Sequence, residues 1–107
     1  MLRKKSRYLA VLIEAEEIVD GKQFSEAIWR SLLRLFGAYG ASRSSMQVIE
    51  CDAAKRYAIV RCFLPALRTV RAAITSVTRV DNKSVAFHVT GVSGTLKSLR
   101  RKFTPKP

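Results

Sequence analysis

Histidine and cysteine, the side chains that most often bind zinc or act as nucleophiles, are scarce in this sequence. The 107 residues contain one histidine, His88, and two cysteines, Cys51 and Cys62, with no CxxC pair. A zinc site needs about four ligands at close spacing, so the sequence excludes a zinc domain. Two isolated cysteines are typical of reduced thiols in a cytosolic protein.

Long apolar runs are absent as well. The basic segment 1–7 leads into only a short apolar stretch, residues 8–13, without a small-residue cleavage site, so we predict no signal peptide. No run approaches the roughly 20 residues that cross a bilayer. We therefore expect a cytoplasmic protein that has no membrane partner.

Acidic residues are few, and most of them lie together. Eight Asp and Glu oppose 20 Lys and Arg, which gives a formal net charge of +12, and five of the eight acids fall within residues 14–26. Such an excess favours a polyanionic partner, most often nucleic acid. The length fits one RNA-binding-type domain over residues 1–107, with a basic N-terminal arm at 1–7 and a basic C-terminal helix and tail at about 95–107.

The apolar periodicity predicts an α+β fold of order β-α-β-β-α-β with a C-terminal helix. Strands are predicted at 8–15, 46–52, 57–64 and 84–92, and helices at 22–36, from Pro65 onward and from Thr95 onward. This order is that of the ferredoxin-like, RNA-recognition-motif-like α/β sandwich. In that fold two helices pack on one face of a four-stranded antiparallel sheet.

Two local signals mark the ends of the first helix. Asp20 and Gln23 are spaced as in a capping box, and Gly37 is a natural C-terminal stop. Residues 38–45 are then expected to form a loop with room for one helical turn. The helical spacing predicts a buried stripe made of Ile28, Leu32, Leu35 and Phe36, widened by Phe24 and Trp29.

The third strand indicates how the domain would recognise RNA. RNA-recognition motifs carry the pattern K/R-G-F/Y-G/A-F-V-x-F/Y on this strand, and residues 55–62 read KRYAIVRC. Ile59 and Cys62 replace aromatic residues on which bases stack. The sequence therefore predicts recognition of folded RNA through phosphates and shape rather than through base stacking.

Strand alternation leaves an apolar surface on the sheet face opposite the two predicted helices. An apolar patch of this kind is usually covered, so we expect the terminal helix, a partner protein, or both to lie over it. The candidate protein-interface residues are Tyr8, Leu12, Tyr57, Ile59 and Phe63.

The basic residues near the two ends, and three arginines between them, are candidate phosphate-binding groups. Each phosphate that they neutralise releases counterions, so we expect RNA binding to weaken steeply with salt. The candidate RNA-binding residues are Arg3, Lys4, Lys5, Arg7, Arg43, Arg56, Arg61, Lys97, Arg100, Arg101 and Lys102.

Catalytic chemistry has little support in the sequence. We place His88 in the middle of a strand and facing the helices, and both cysteines in strands, where buried thiols behave as small apolar groups. Glu50 and Asp52 alternate to one face of the second strand and are the best candidates for a metal site. Glu14, Glu16 and Glu17 are weaker candidates, because no second carboxylate cluster is predicted to meet them. We predict no catalytic residue and no metal ligand in this chain.

Over residues 6–103 the chain resembles the archaeal ribonuclease P protein component 2 family, whose eukaryotic counterpart is shared by ribonuclease P and ribonuclease MRP. The resemblance rests on Arg7-Tyr8-Leu9 entering the first strand, on the helix that ends at Gly37 and on the strand 57–62. It rests above all on residues 89–97, VTGVSGTLK, which contain Ser93-Gly94-Thr95.

The resemblance implies a non-catalytic subunit that binds and stabilises the catalytic RNA of ribonuclease P for 5′-end maturation of precursor tRNA. The chemistry and its magnesium ions would belong to the RNA, and this chain would carry no cofactor. The implied partners are the ribonuclease P RNA, precursor tRNA in the assembled enzyme, the TIM-barrel protein component 3, other ribonuclease P proteins and a second copy of this chain. A standalone structured-RNA-binding protein or chaperone is the alternative, and a metal-dependent nuclease ranks below it.

Overall fold

An antiparallel sheet forms the middle layer of the molecule, of which the computed structural model describes residues 5–103. The strands are β1 (Ser6–Ala15), β2 (Gln47–Asp52), β3 (Tyr57–Phe63), β4 (Arg79–Val80) and β5 (Lys83–Ser93). The helices are α1 (Gly21–Arg43), α2 (Leu67–Thr75) and α3 (Leu96–Phe103), and a 3₁₀ turn, Leu64–Ala66, precedes α2. The strand order β2-β3-β1-β5-β4 confirms the predicted α/β sandwich.

Within the described residues the sheet has five strands where four are predicted. The additional strand, β4, has two residues and pairs with the start of β5. Asp81 and Asn82 join them with φ angles of 50° and 66°. Positive φ at both central positions is the geometry of a tight hairpin, and Asp and Asn tolerate it. The sequence predicts this turn but not the strand, because two residues show no periodicity.

The main core lies between the sheet and the helices α1 and α2. The rings of Phe24 on α1 and Phe87 on β5 meet there with centroids 4.9 Å apart. Alternate residues of β1 and β3 face the helices and belong to this core: Leu9, Val11, Ile13, Ala58, Val60 and Cys62. At the start of α1 the predicted capping box is confirmed, since Asp20 Oδ1 accepts from the Gln23 N–H at 2.8 Å and Gln23 Oε1 accepts from the Asp20 N–H at 3.1 Å.

Helix α1 is longer than predicted and less buried in its second half. It continues past Gly37 to Arg43, so the expected loop at 38–45 is largely helical. Three residues of the predicted buried stripe are exposed, because no neighbouring element covers this part of the helix: Trp29 by 39%, Leu35 by 44% and Phe36 by 41%. Neither α1 nor any other helix within residues 5–103 is long and apolar enough to cross a membrane.

Gly37 makes the kink inside α1, with φ 73° and ψ 176°. Only glycine adopts this region readily. We expect Gly37→Ala to lower the free energy of unfolding by about 1–3 kcal/mol, measured by urea denaturation. The cost is conformational, because a Cβ at this position would meet no atom within 4 Å. Ala38→Gly is the control and should cost about 1 kcal/mol or less. A Gly37→Ala variant as stable as the wild type would contradict the kinked geometry.

A second, smaller core lies on the opposite face of the sheet, under α3. Leu99 of α3 is 1% exposed and packs against Ala10, Tyr57 and Ile59. Tyr8 and Leu96 lie partly buried at its edge. The terminal helix therefore covers the apolar sheet surface, as the sequence predicts.

Candidate nucleic-acid interface

The passage from β5 into α3 positions the basic terminal helix. Ser93 Oγ accepts from the Thr95 N–H at 3.3 Å, and Thr95 Oγ1 accepts from the Ser98 N–H at 3.2 Å, which caps the helix. Because Leu99 anchors the apolar side, the basic side chains lie on the outer surface. We call these four exposed residues the α3 cluster: Lys97, Arg100, Arg101 and Lys102.

The start of β1 lies at the same end of the sheet as the start of α3. The antiparallel register places Tyr8 opposite Ser93. The Arg7 guanidinium approaches Gly94, where its Nη1 lies 3.4 Å from the position of an added Cβ. Arg7 of the basic N-terminal arm therefore lies close to the start of the basic helix, and the predicted RNA-binding residues Arg3 and Lys4 lie outside the described residues.

Two arginines from other elements join this end of the sheet. Arg61 lies on β3 opposite Tyr8, and its Nε donates to Ser6 Oγ at 3.2 Å. Arg43 ends α1, where Nη1 donates to the Tyr39 hydroxyl at 2.7 Å, and the following Ser44 accepts from the Phe63 N–H. We call Lys5, Arg7, Arg43 and Arg61 the terminal cluster.

Arg56 does not join the terminal cluster. It lies in the β2–β3 turn with φ 57°, at the opposite end of β1, where its carbonyl accepts from the Ile13 N–H at 2.8 Å. Its guanidinium donates to the Ala15 carbonyl. Arg56 therefore closes the hairpin against the end of β1, a non-local contact that its basic charge alone could not reveal.

The predicted protein-interface residues need correction. Tyr57 is 5% and Ile59 1% exposed, because α3 covers both, so they offer no surface to a partner while the helix is docked. Tyr57 also donates its hydroxyl to Glu50 Oε2 at 2.7 Å. Tyr8 and Phe63 are partly buried. Leu12 remains as an exposed candidate, at 43%.

An exposed apolar surface occurs instead on α1, where the sequence analysis missed it. Trp29, Leu33 and Phe36 recur at i, i+4 and i+7 and are 39%, 38% and 41% exposed. Tyr39 continues this surface beyond the kink and is 73% exposed. We call these four residues the α1 apolar surface. The available signal was that apolar residues occupy more of the helix circumference than a single core can bury.

His88 is wrongly placed by the sequence analysis. Val85 and Phe87 occupy the positions of β5 that face the main core, so His88 points to the other face, opposite Leu12. It is exposed there, and its Nε2 lies 2.8 Å from Glu14 Oε2. This cross-strand pair gives the histidine a structural partner.

The carboxylates and thiols considered for chemistry have local partners or are buried. Glu50 meets Arg100 at 3.6 Å, and Asp52 Oδ1 accepts from the Lys55 N–H at 3.0 Å. No group of three His, Cys, Asp or Glu side chains within residues 5–103 is arranged to hold a metal ion.

The two thiols are held in their protonated form at neutral pH. Burial raises the pKa of the Cys62 thiol to about 11. Burial first, and then the charges of Asp20 and Asp52, raise the pKa of Cys51, which is only partly buried. Because the thiolate is the reactive form, neither cysteine is prepared for nucleophilic chemistry.

The sheet order, the paired helices on one face and the basic helix on the other define a protein of the RNA-recognition-motif-like α/β class. The chain belongs to the Rpp14/Pop5 family, whose model matches residues 7–104. This finding confirms the resemblance that the sequence motifs indicated.

Individual relatives agree with the family assignment. Ribonuclease P protein component 2 of Thermococcus kodakarensis is 33% identical over 102 residues, which cover 95% of this chain and 85% of the relative. The protein of the same name from Archaeoglobus fulgidus is 36% identical over 103 residues, with 95% and 91% covered. A chain in the cryo-EM structure of yeast ribonuclease MRP superimposes with a TM-score of 0.72, over 89% of this chain and 78% of that one. At 12% identity, that likeness concerns the fold.

Proposed function

We propose that this chain is a non-catalytic protein subunit of ribonuclease P, which binds and stabilises the catalytic RNA for 5′-end maturation of precursor tRNA. The family membership supports the assignment to this enzyme. The observation that carries the mode of binding is the docking of α3. Leu99 holds the helix over the sheet face where base stacking would otherwise take place, and the α3 cluster points outward. Recognition then relies on phosphates and RNA shape.

In this proposal the magnesium ions and the hydrolytic step belong to the RNA. The chain contributes positive charge that offsets repulsion between RNA segments as they fold. A compact catalytic RNA otherwise needs a high concentration of divalent cations for the same purpose. The proposed place of action is the cytoplasm.

Reconstitution tests the proposed function. Adding this protein and its barrel partner to the ribonuclease P RNA should raise precursor-tRNA cleavage most at low magnesium, where protein charge replaces the missing cations. Cleavage rates are measured across a magnesium series, with an unrelated structured RNA as the binding control. No increase at any magnesium concentration, together with equal affinity for the unrelated RNA, would favour a standalone RNA-binding protein or chaperone. Cleavage by the protein alone, abolished by Asp52→Ala, would indicate the metal-dependent nuclease.

The proposed partners are the ribonuclease P RNA, precursor tRNA in the assembled enzyme, the TIM-barrel protein component 3, other ribonuclease P proteins and a second copy of this chain. We assign the barrel protein to the α1 apolar surface. Three of its side chains lie on one face of a helix, and exposed aromatic residues grouped in this way are typical of the central part of a protein interface.

Trp29→Ala is expected to raise the dissociation constant for the barrel protein about tenfold or more, because a large aromatic anchor is lost. Trp29 is already 39% exposed, so the fold should persist. Titration calorimetry measures the affinity. Leu12→Ala tests the alternative interface on the sheet, since Leu12 is 43% exposed and lies on the other face of the sheet. A stronger effect of Leu12→Ala than of Trp29→Ala would indicate that the barrel protein binds the sheet face and not α1.

A further inference from the structure

A second basic surface lies on the helix-covered side of the sheet, away from α3. Two neighbouring depressions meet at Val77 and Thr78, just after α2. The first is lined by arginines from two elements, Arg30 and Arg34 of α1 and Arg79 of β4, and the second by Arg71 of α2. We call these four residues the arginine band. None of them belongs to the terminal cluster or the α3 cluster.

The guanidinium groups of the arginine band are available to a ligand. Throughout residues 5–103, none of the four guanidinium groups takes part in an ion pair or a hydrogen bond; Arg71 is bonded only through its backbone carbonyl, which accepts from the Thr75 hydroxyl at 3.0 Å. Two acids, Glu26 and Asp81, also line the first depression. Asp81 is engaged locally, because its Oδ2 accepts from Gln23 Nε2 at 2.7 Å. The four arginines therefore exceed the acids around them.

The composition of the arginine band suits phosphate groups. A guanidinium presents paired N–H donors that match two phosphate oxygens, and serine and threonine hydroxyls add further donors. Thr78 lines the first depression together with three of the arginines, whereas the Ser76 hydroxyl there already donates to the Ala72 carbonyl at 2.7 Å. Arg30 and Arg34 are one helical turn apart, where two like charges repel each other unless an anion lies between them.

The positions of the basic surfaces determine how many RNA segments the protein can reach. The α3 cluster lies on one face of the sheet, whereas α1 and α2, which carry most of the arginine band, pack on the other. The sheet and its helix layers separate the two surfaces. One straight duplex therefore cannot contact both of them at once.

We propose that the arginine band is a second phosphate-binding surface, so that this protein bridges two segments of folded RNA. The proposal rests on the proposed function in one respect, since the other segment is bound by the α3 cluster. Bridging would hold two helices of an RNA side by side, which binding on one face alone would not do.

A capture assay tests the bridge. A biotinylated RNA hairpin of about 20 base pairs is immobilised and saturated with the full chain, and a fluorescent hairpin of the same sequence is then added. The wild type should retain the second hairpin. Arg30→Gln with Arg34→Gln should reduce this retention at least fivefold. The salt dependence of total RNA binding should also fall by about one to two units of slope. Both residues are exposed on α1, so the substitutions leave the core intact.

The matched control is Lys22→Gln with Lys55→Gln, which removes the same charge from two exposed positions outside the arginine band. It should retain the second hairpin as the wild type does. An equal loss of retention in the control would show that the effect depends only on net charge, and it would overturn the proposal. Undiminished retention by the Arg30 and Arg34 variant would also overturn it, since a protein dimer could then account for the bridge. The proposal would likewise be overturned if the Arg30 and Arg34 variant bound RNA as the wild type does but bound the barrel protein more weakly.

A variant of the α3 cluster, Arg100→Ala with Arg101→Ala and Lys102→Ala, separates this proposal from the proposed function. Both proposals are supported by the following pair of results. The α3 variant loses retention of the second hairpin but still binds one hairpin, and this remaining affinity disappears when Arg30 and Arg34 are replaced as well. If it behaves like the wild type while the Arg30 and Arg34 variant loses RNA, the arginine band is supported and the role of α3 is not. If it binds no RNA at all, the arginine band is not a site.

Discussion

Leu99→Asp is expected to release α3 from the sheet and to lower RNA affinity about tenfold to a hundredfold, although every basic residue is retained. Leu99 is 1% exposed, and burying a leucine contributes about 2–3 kcal/mol. A buried aspartate would add the cost of removing a charge from water. Because α3 has eight residues and short isolated helices are marginal in water, local release costs less than global unfolding.

Hydrogen exchange and RNA titration measure the two parts of this expectation. The amides of α3 should lose their protection in Leu99→Asp, whereas those of β1 and β3 keep theirs. Leu99→Met is the control, because it preserves the volume and apolar character of the side chain. Unchanged RNA affinity with an unprotected α3 would show that the basic residues act as a flexible tail and that docking has no role in binding.

The second large effect concerns the charges themselves. Replacing Arg100, Arg101 and Lys102 by alanine should flatten the salt dependence of RNA binding by up to about three units of slope, because up to three phosphate contacts are lost. The corresponding loss of affinity is about a hundredfold at 0.1 M salt. The Arg100–Glu50 pair is partly exposed on both sides, so its loss should leave the docking of α3 nearly unchanged.

Binding measured over a series of salt concentrations gives the slope, and circular dichroism verifies that the fold is kept. Lys22→Ala with Lys55→Ala is the control for general charge, since both residues are exposed and lie outside α3. An unchanged slope in the triple variant would indicate that the principal RNA-binding surface is the terminal cluster or the arginine band. A drop of equal size per charge in the control would indicate unspecific attraction by net charge alone.

The local features of the chain are encoded within a few residues, and the sequence predicts them well. The Asp20–Gln23 capping box and the Asp81-Asn82 turn depend only on neighbouring backbone groups. The two faces of β3 follow from a period of two, which assigns Val60 to one core and Ile59 to the other. Errors arise where burial depends on distant elements, as for Leu35 and Phe36.

The candidate site also combines features that the sequence alone predicts with features that depend on distant segments. The basic composition and the missing aromatic platform are properties of the sequence, and they favour phosphate recognition of a folded RNA. Which basic residues come together is decided by strand register, because Arg7, Arg43 and Arg61 derive from distant segments. Register also separates Arg56 from these three arginines, because its guanidinium donates to the Ala15 carbonyl at the other end of β1.

The sequence by itself determined the α+β order, the excess of positive charge and the resemblance that the family match confirms. Only the tertiary structure decided that α3 covers Tyr57 and Ile59, that the apolar surface of α1 stays exposed, and that basic residues occupy both sides of the sheet. The physical reason is that periodicity specifies which side of an element is apolar. What packs against that side depends on contacts between segments far apart in the chain.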